Sequence, residues 1–364
     1  MKRMMFISLL LIFIFAMVGC SQNNTNKKEI NTEIQENQKQ DMYNNEMILT
    51  SEIIEFEEGL SGVKYEGDYG FDRFLANGGA TSDAQVGQFL TKNMLFGTNT
   101  INFEGVPFGC STISVKDEKG NALFGRNFDW NTCNAMIVQS KPINGYASIS
   151  TVNMDFISMS GISLSDIPDQ MQALCCLYAP LDGMNEKGLV VSVNMIQDSA
   201  TISQNTDKPD ITTTTAIRLL LDKAANVEEA VGLLKQYDMH ASMGYMMHLA
   251  LADTNGNSVV VEYINNEMIV TQTPVVTNFY LAEGEKNGIG TQQSHQRYDI
   301  LIECLSDNKT MNMEYVRDAL NRVSKKNFGE FESTEWSIVF NQSTGEVHYY
   351  HREDYQKQYL FYLK

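Results

Sequence analysis

Hydrophobic positions along this chain fall into distinct textures, and each predicts a different kind of structure. Phe6 to Val18 is an almost unbroken apolar run behind Lys2 and Arg3, and polar Ser21-Gln22-Asn23-Asn24 follows at once. The run is short for a membrane span, and this layout is that of an export signal over residues 1–20. Residues 21–49 are rich in Asn, Gln, Lys and Glu, the texture of a flexible tether. Ordered patterning starts near residue 50, and residues 50–109 form a partly structured leading segment. Ile53-Ile54 and Phe56 suit a strand or short helical stretch. Asp83 to Met94 predicts a helix with Val86, Phe89 and Leu90 inward. Ser82 would cap it, with Gln85 completing a capping box.

Beyond residue 109 the period shortens to that of strands. Cys110–Val115, Ala122–Phe124, Met136–Ser140 and Ala147–Val152 predict strands broken at Gly120-Asn121 and Asn144-Gly145. Leu189–Met195 is another, entered through a turn over Asp182–Gly188. Thr212–Ala225 and Val227–Tyr237 predict two helices. Met246–Asp253, Ser258–Ile264 and Met268–Thr271 follow, joined at Asn255-Gly256 and Asn265-Asn266 in the manner of hairpins. A helix over Met313–Arg322 and strands over Trp336–Asn341 and Glu346–His351 complete the pattern. Strands, then helices, then strands predict an α+β layered fold.

Composition narrows the function. The chain has 364 residues, 43% of them hydrophobic, enough for a large core. Its formal net charge of -18 argues against nucleic acid as a partner, because phosphate tracking needs clustered Lys and Arg. Met17-Val18-Gly19-Cys20 resembles a bacterial lipobox, so Cys20 would carry the lipid that anchors the chain to the extracytoplasmic face of the cell membrane. An ordinary signal peptide with an incidental cysteine is the plainer alternative. Cys133, Cys175, Cys176 and Cys304 suit small buried apolar roles. The five histidines form no HExxH or tight Cys/His group, and no metal site is expected.

Cys110 is different, because nothing in the local pattern asks for a thiol there. It could be a buried apolar residue. It could also be the first residue of a mature enzyme, released by cleavage of the Gly109–Cys110 bond. Its own α-amine, with a reference pKa of about 7.7 to 8.0, would then be the base for its thiol. Gly109 suits such a cut because it puts no side chain against the carbonyl and tolerates unusual torsions. The polar cluster Arg126-Asn127-Phe128-Asp129 follows closely, although an Arg–Asp pair by itself is most often structural.

"GCSTISV" and "FGRNFDW", with "DGMNEKGLVVSVN" at Asp182–Asn194, "VVEY" and "VTNF" within Val260–Phe279, and "SHQRYDIL" at Ser294–Leu301, resemble in order the choloylglycine hydrolase and acid ceramidase group of linear amide C–N hydrolases. The resemblance implies the four-layer αββα sandwich of amino-terminal nucleophile hydrolases over residues 110–364, matured by self-cleavage. It implies Cys110 as nucleophile, Arg126 beside the thiol and lowering its pKa, and Asp129 binding the α-amine. It also implies an oxyanion contact from Asn194, stabilisation of the intermediate or of the amine by Asn278, and Arg297 near the nucleophile. Alone, Asn278 would more often be a turn or cap residue. His295 is expected to be a satisfied neutral residue.

The expected activity is hydrolysis of a small-molecule N-acyl amide without cofactor. The leading segment resembles the ceramidase and acylethanolamine amidase layout and tilts the substrate toward a fatty or aromatic acyl amide. Met136, Ile137, Met154, Phe156, Ile157, Met159, Met171 and Leu174 could line an acyl pocket or be core. Bile salt or penicillin V hydrolysis, acyl transfer to an amine, and an inactive exported binding protein remain alternatives. So do retention of the cut leading segment and a homo-oligomer.

Overall fold

The computed structural model describes residues 47–49, 52–93, 101–105, 107–159, 162–326 and 332–363. The chain divides into two compact units, Met1–Ile48 and Leu49–Lys364, and all that follows concerns the second. The export signal, Cys20 and most of the tether lie outside the described residues.

Two sheets face each other. In the larger, Leu60–Gly67, Ala135–Lys141, Ser148–Asn153, Asp182–Asn185, Val190–Met195, Met247–Ala252, Ser258–Ile264 and Glu267–Gln272 lie side by side in that order. The smaller runs Val275–Val276, Gly109–Lys116, Ala122–Trp130, Ser333–Asn341, Glu346–His351 and Tyr359–Tyr362. Helices Thr213–Lys223 and Val227–Leu234 cover the outside of the larger sheet, and Gln292–Asp307 and Met313–Arg322 that of the smaller. The result is the αββα order, with each sheet buried on both faces.

That double burial explains the sequence pattern. Val190–Met195 and Met247–Ala252 are buried at every position, and mostly apolar, because one side meets helices and the other a sheet. Under the outer helices of the smaller sheet, Ile113, Leu123, Val339, Leu301, Val316 and Leu320 form one apolar cluster. Asn265 and Asn266 take positive φ values of 53° and 64°, which matches the tight right-handed twist of a two-residue hairpin.

Most predicted elements lie within two residues of their observed ends, with some differences. Ala122–Trp130 continues six residues past Phe124, straight through the polar cluster. Asp182–Asn185 is a strand rather than part of a turn. Strands Leu60–Gly67 and Tyr359–Tyr362 and helices Phe71–Ala76, Asp169–Leu177 and Gln292–Asp307 add to the pattern. Helix Asp83–Asn93 starts as expected, but Gln85 Oε1 takes the Thr81 N–H at 2.9 Å, one residue before the position a capping box uses. The expected buried cysteines are all buried and unpaired.

The leading segment is built into this unit. Leu60–Gly67 pairs in parallel with Ala135–Lys141. Tyr65, Tyr69, Phe71, Phe74 and Phe89 cluster with Tyr178. Tyr69 donates its hydroxyl to the buried Asp222 carboxylate, and Tyr178 Oη donates to Tyr69 O at 2.9 Å. At the other end, Glu57 reaches His351 Nδ1 at 3.0 Å on the smaller sheet.

Candidate active site

Strand alternation sorts the polar cluster onto two faces. Gly109–Lys116 pairs antiparallel with Ala122–Trp130, so Cys110 stands opposite Phe128 and Gly109 opposite Asp129. Cys110, Arg126 and Phe128 therefore face the larger sheet, while Ser111, Asn127 and Asp129 face the helices.

On the inner face, Arg126 is fully buried, with both terminal nitrogens engaged. Its Nη2 lies 3.2 Å from Cys110 Sγ and 2.9 Å from Val193 O. Its Nη1 donates to Leu181 O and, at 2.8 Å, to Asp182 Oδ2. Asp182 also accepts Trp336 Nε1–H at 3.0 Å. Burial pushes the Asp182 carboxyl above its ordinary value, against the pull of Arg126 and Trp336. The Cys110 thiol is 3.6 Å from Val193 O. Burial pushes that thiol up to about 11, and the nearby Arg126 only partly offsets it. The expected lowering by Arg126 is present, but burial outweighs it.

The backbone of Cys110 is held separately. Its N–H donates to Asn278 Oδ1 at 2.9 Å, and its carbonyl accepts Arg297 Nη1–H at 2.6 Å. Arg297 also reaches Ser111 Oγ at 2.5 Å and Asn278 Oδ1 at 2.8 Å. Asn278 Nδ2 donates to Met195 O at 2.7 Å, which ties this loop to the larger sheet. Arg297 comes from helix Gln292–Asp307, whose N-cap Thr291 accepts from Ser294 N.

On the helix face, Asp129 Oδ1 accepts Thr334 Oγ1–H at 2.7 Å. Its Oδ2 is buried without a hydrogen-bond partner among the described residues, 3.4 Å from Arg297 Nη1 and 4.0 Å from Lys325 Nζ. A Cβ on Gly109 would lie 3.0 Å from Asp129 Oδ2 and 3.1 Å from Lys325 Nζ. Gly109 has no left-handed torsion to explain it, so the glycine is there for space rather than for backbone freedom.

Cys110, Arg126, Asn278, Arg297 and Asp129 thus meet in one place. Asn194 lies nearby with its side chain engaged elsewhere: Nδ2 points to Val276 O at 3.4 Å and Oδ1 accepts Ser192 Oγ–H at 2.9 Å. His295 stacks on Phe279 and meets Gly288 O through Nε2 at 2.9 Å, outside the cluster. Asp182, Ser111, Thr334 and Lys325 join the site without having been singled out. Asp182 opens a quoted motif and carried a signal; Thr334 and Lys325 are joined to Asp129 only by folding. A cleft of about 360 Å³ among Gln293, Gln296, Arg297, Ile300 and Lys325 opens beside them. A larger one, about 660 Å³ among Ile54, Phe56, Val63, Leu360 and Phe361, lies away from the thiol and holds none of these groups.

Among known proteins, the family model "Acyl-coenzyme A:6-aminopenicillanic acid acyl-transferase" matches residues 177–355. A penicillin V acylase from Pectobacterium atrosepticum is 29% identical over 99 residues, 24% of this chain and 26% of that relative. The match therefore spans about a quarter of the curated relative's length. A mutant of the conjugated bile acid hydrolase from Clostridium perfringens superposes with a TM-score of 0.52 at 18% identity, covering 70% of this chain and 92% of that one. A second variant of the same hydrolase gives 0.51 at 16% over the same shares. At these identities the superpositions speak for the fold, which is that of the amino-terminal nucleophile hydrolases.

Proposed function

We propose that this chain, one of the amino-terminal nucleophile hydrolases of linear amides in the penicillin acylase and choloylglycine hydrolase family, cuts itself at Gly109–Cys110 and then hydrolyses N-acyl amides with Cys110. One observation carries the reading: Asn278 and Arg297 hold the backbone of Cys110 while Arg126 holds its thiol. A buried apolar cysteine needs none of these bonds.

In self-cleavage the thiol adds to the Gly109 carbonyl and the C–N bond to Cys110 breaks. The thiol proton passes to the departing nitrogen, and water hydrolyses the resulting thioester. Gly109 keeps a carboxylate, and Cys110 gains a free α-amine beside its thiol. Asn278 Oδ1 already faces that nitrogen. Asp129 Oδ2, buried and unbonded beside Gly109, gains a partner in the new ammonium.

Turnover repeats the chemistry on substrate. The α-amine takes the thiol proton, Sγ attacks the acyl carbon, the ammonium protonates the leaving amine, and the amine then activates water to free the acid. Arg126 steadies the thiolate, while Asn278 or Asn194 supplies an amide to the oxyanion. The acyl group is fatty or aromatic. The parallel pairing of Leu60–Gly67 and the Tyr69–Asp222 bond support retention of the cut leading segment, and Cys20 tethers the assembly to the membrane. Acyl transfer to an amine is a second reading, favoured by the description of the matching family model.

Intact mass and amino-terminal sequencing of wild type and Cys110→Ala test the core of this. Wild type should yield a chain starting at Cys110 and the variant should stay whole. A wild-type chain that stays whole while folded removes the mechanism. Adding an amine acceptor and following both products separates hydrolysis from transfer.

A further inference from the structure

One buried titratable pair stands beside the site and outside the chemistry assigned above. Asn194, His248 and Glu262 lie on neighbouring strands of the larger sheet, with His248 directly opposite Asn194. His248 is 1% exposed and Glu262 not at all. His248 Nδ1 meets Glu262 Oε1 at 3.0 Å, and its Nε2 meets the backbone carbonyl of Thr277 at 2.8 Å. Glu262 also accepts the backbone N–H groups of Leu281 at 3.0 Å and Ala282 at 2.7 Å.

These partners fix the protons. Burial raises the Glu262 carboxyl, but His248 and the two amides outweigh it and hold the group below its ordinary value, so it is a carboxylate at neutrality. A carboxylate and a peptide carbonyl can only accept, so both ring nitrogens of His248 must donate. A neutral ring has one N–H and would turn a lone pair on one of the two oxygens. A flipped ring would set carbons against both. His248 is therefore an imidazolium, paired with Glu262 away from water.

The pair holds the chain next to Cys110. Val275–Val276 pairs with Thr112–Ile113 for two residues, and Thr277 and Asn278 lie beyond that ladder. Val276 O is taken by Asn194 Nδ2, Thr277 O by His248, and the Leu281 and Ala282 N–H groups by Glu262. Between these anchors stands Asn278, whose Oδ1 accepts the Cys110 N–H. From the other side Thr277 Oγ1 donates to Ser294 O at 3.0 Å and Ser294 Oγ to Asn278 O at 3.3 Å, on the helix that carries Arg297. Backbone groups that have left the strands and are buried need such partners.

We propose that His248 and Glu262 are positioning residues: as an imidazolium–carboxylate clamp they pin residues 277–282 to the larger sheet and so set the Asn278 amide against the nitrogen of Cys110. This rests on the reading of Cys110 as nucleophile. Their bonds go to Thr277, Leu281 and Ala282 rather than to Cys110, so they act through Asn278. Hydrogen bonds to charged groups are roughly twice as strong as neutral ones, which suits a loop that must hold still while the bond beside it is cut.

Nuclear magnetic resonance of the uncut Cys110→Ala chain, with isotope-labelled histidine nitrogens, reads the clamp without turnover. At neutral pH one histidine should carry a proton on both ring nitrogens, and Glu262→Gln should remove the Nδ1 proton. Rings with one proton each would overturn the clamp. Kinetics read the positioning. His248→Leu together with Glu262→Leu removes both charges at once, a swap that buried pairs often tolerate in stability. Confirmed as folded by circular dichroism, it should slow self-cleavage and lower kcat on an amide about 100-fold, the cost of a small misplacement, while moving KM less than about threefold. Glu262→Gln can donate its amide to a neutral ring whose Nε2–H still reaches Thr277 O, and should keep kcat within about tenfold of wild type. Wild-type rates in the double variant, a loss in KM alone, or Glu262→Gln as slow as the double variant would overturn the positioning role. A wild type that neither cuts itself nor turns over amide removes the hydrolase reading and this role with it. A wild type that does both, matched by the double variant, removes the role alone.

Discussion

On the face of the smaller sheet that looks toward the larger one, Cys110, Arg126, Phe128 and Trp336 stand in one row. On the face under the helices, Ser111, Asn127 and Asp129 stand in another, met by Arg297 and Thr334. The first row has one cation and aromatic walls, and it raises the thiol pKa. The second is a polar clamp on the chain around Cys110. One strand pair thus presents the Cys110 sulfur to a dry side and its backbone to an ionic side. The proposed role of Cys110 as both nucleophile and base would need both environments within one residue.

Substitutions that damage one face and spare the other test this division. The largest effect is expected for Cys110→Ala on the inner face, with self-cleavage abolished and amide turnover down by about 10⁴-fold or more, read by mass and product formation. Asp129→Asn on the helix face should slow processing or turnover by roughly 10² to 10⁴-fold with the fold largely intact, the range of a lost acid–base partner. Unchanged rates there would make Asp129 a structural residue. Arg126→Met leaves Asp182 buried and uncompensated, and should cost about 3–5 kcal/mol of stability by chemical denaturation.

A pH titration separates the uncut from the cut inner face. In the uncut chain the thiol sits near 11, above its ordinary value of 9.0, so it is protonated at neutrality and becomes thiolate only as pH climbs. Iodoacetamide labelling of uncut Asp129→Asn should therefore rise with pH well above neutrality, with a midpoint somewhat below that of the uncut wild type because Asp129 adds to the upward push on the thiol. Cut wild type, opened to solvent, should label with a lower midpoint, and identical profiles would contradict the opening. The smallest effect is expected for Ser111→Ala. It removes one acceptor from Arg297, worth about 1.5–3 kcal/mol at most for a bond to a charged group, and should lower activity without stopping cleavage.

The same two faces explain what could be read from sequence. Strands made mostly of apolar residues announced the core, and the hairpin at Asn265-Asn266 announced itself by residue type. Residue pattern alone predicts only the first three residues of Ala122–Trp130, because Arg126, Asn127 and Asp129 look like the end of a strand. They continue it because each side chain finds a buried partner, and those partners come from residues 181–193, 297, 320, 334 and 337, far away in sequence. Helix Gln292–Asp307 escaped for a related reason: its buried face includes Ser294 and Arg297, which bond to the site rather than fill a core. Motif order located Cys110, Arg126, Asn278 and Arg297. No motif could have linked Lys325 to Asp129, since folding alone brings them together.

The strand Leu60–Gly67 precedes Cys110 yet hydrogen-bonds inside the larger sheet beside Ala135–Lys141. Once the Gly109–Cys110 bond is cut, that pairing joins two separate polypeptides. The active form would then obey mass action, and dilution would favour its dissociation. A shortened chain starting at Cys110 would expose the Ala135–Lys141 edge and the aromatic surface around Tyr178 to water, an invitation to self-association. An enzyme that works as proposed would have to be made whole and then divided.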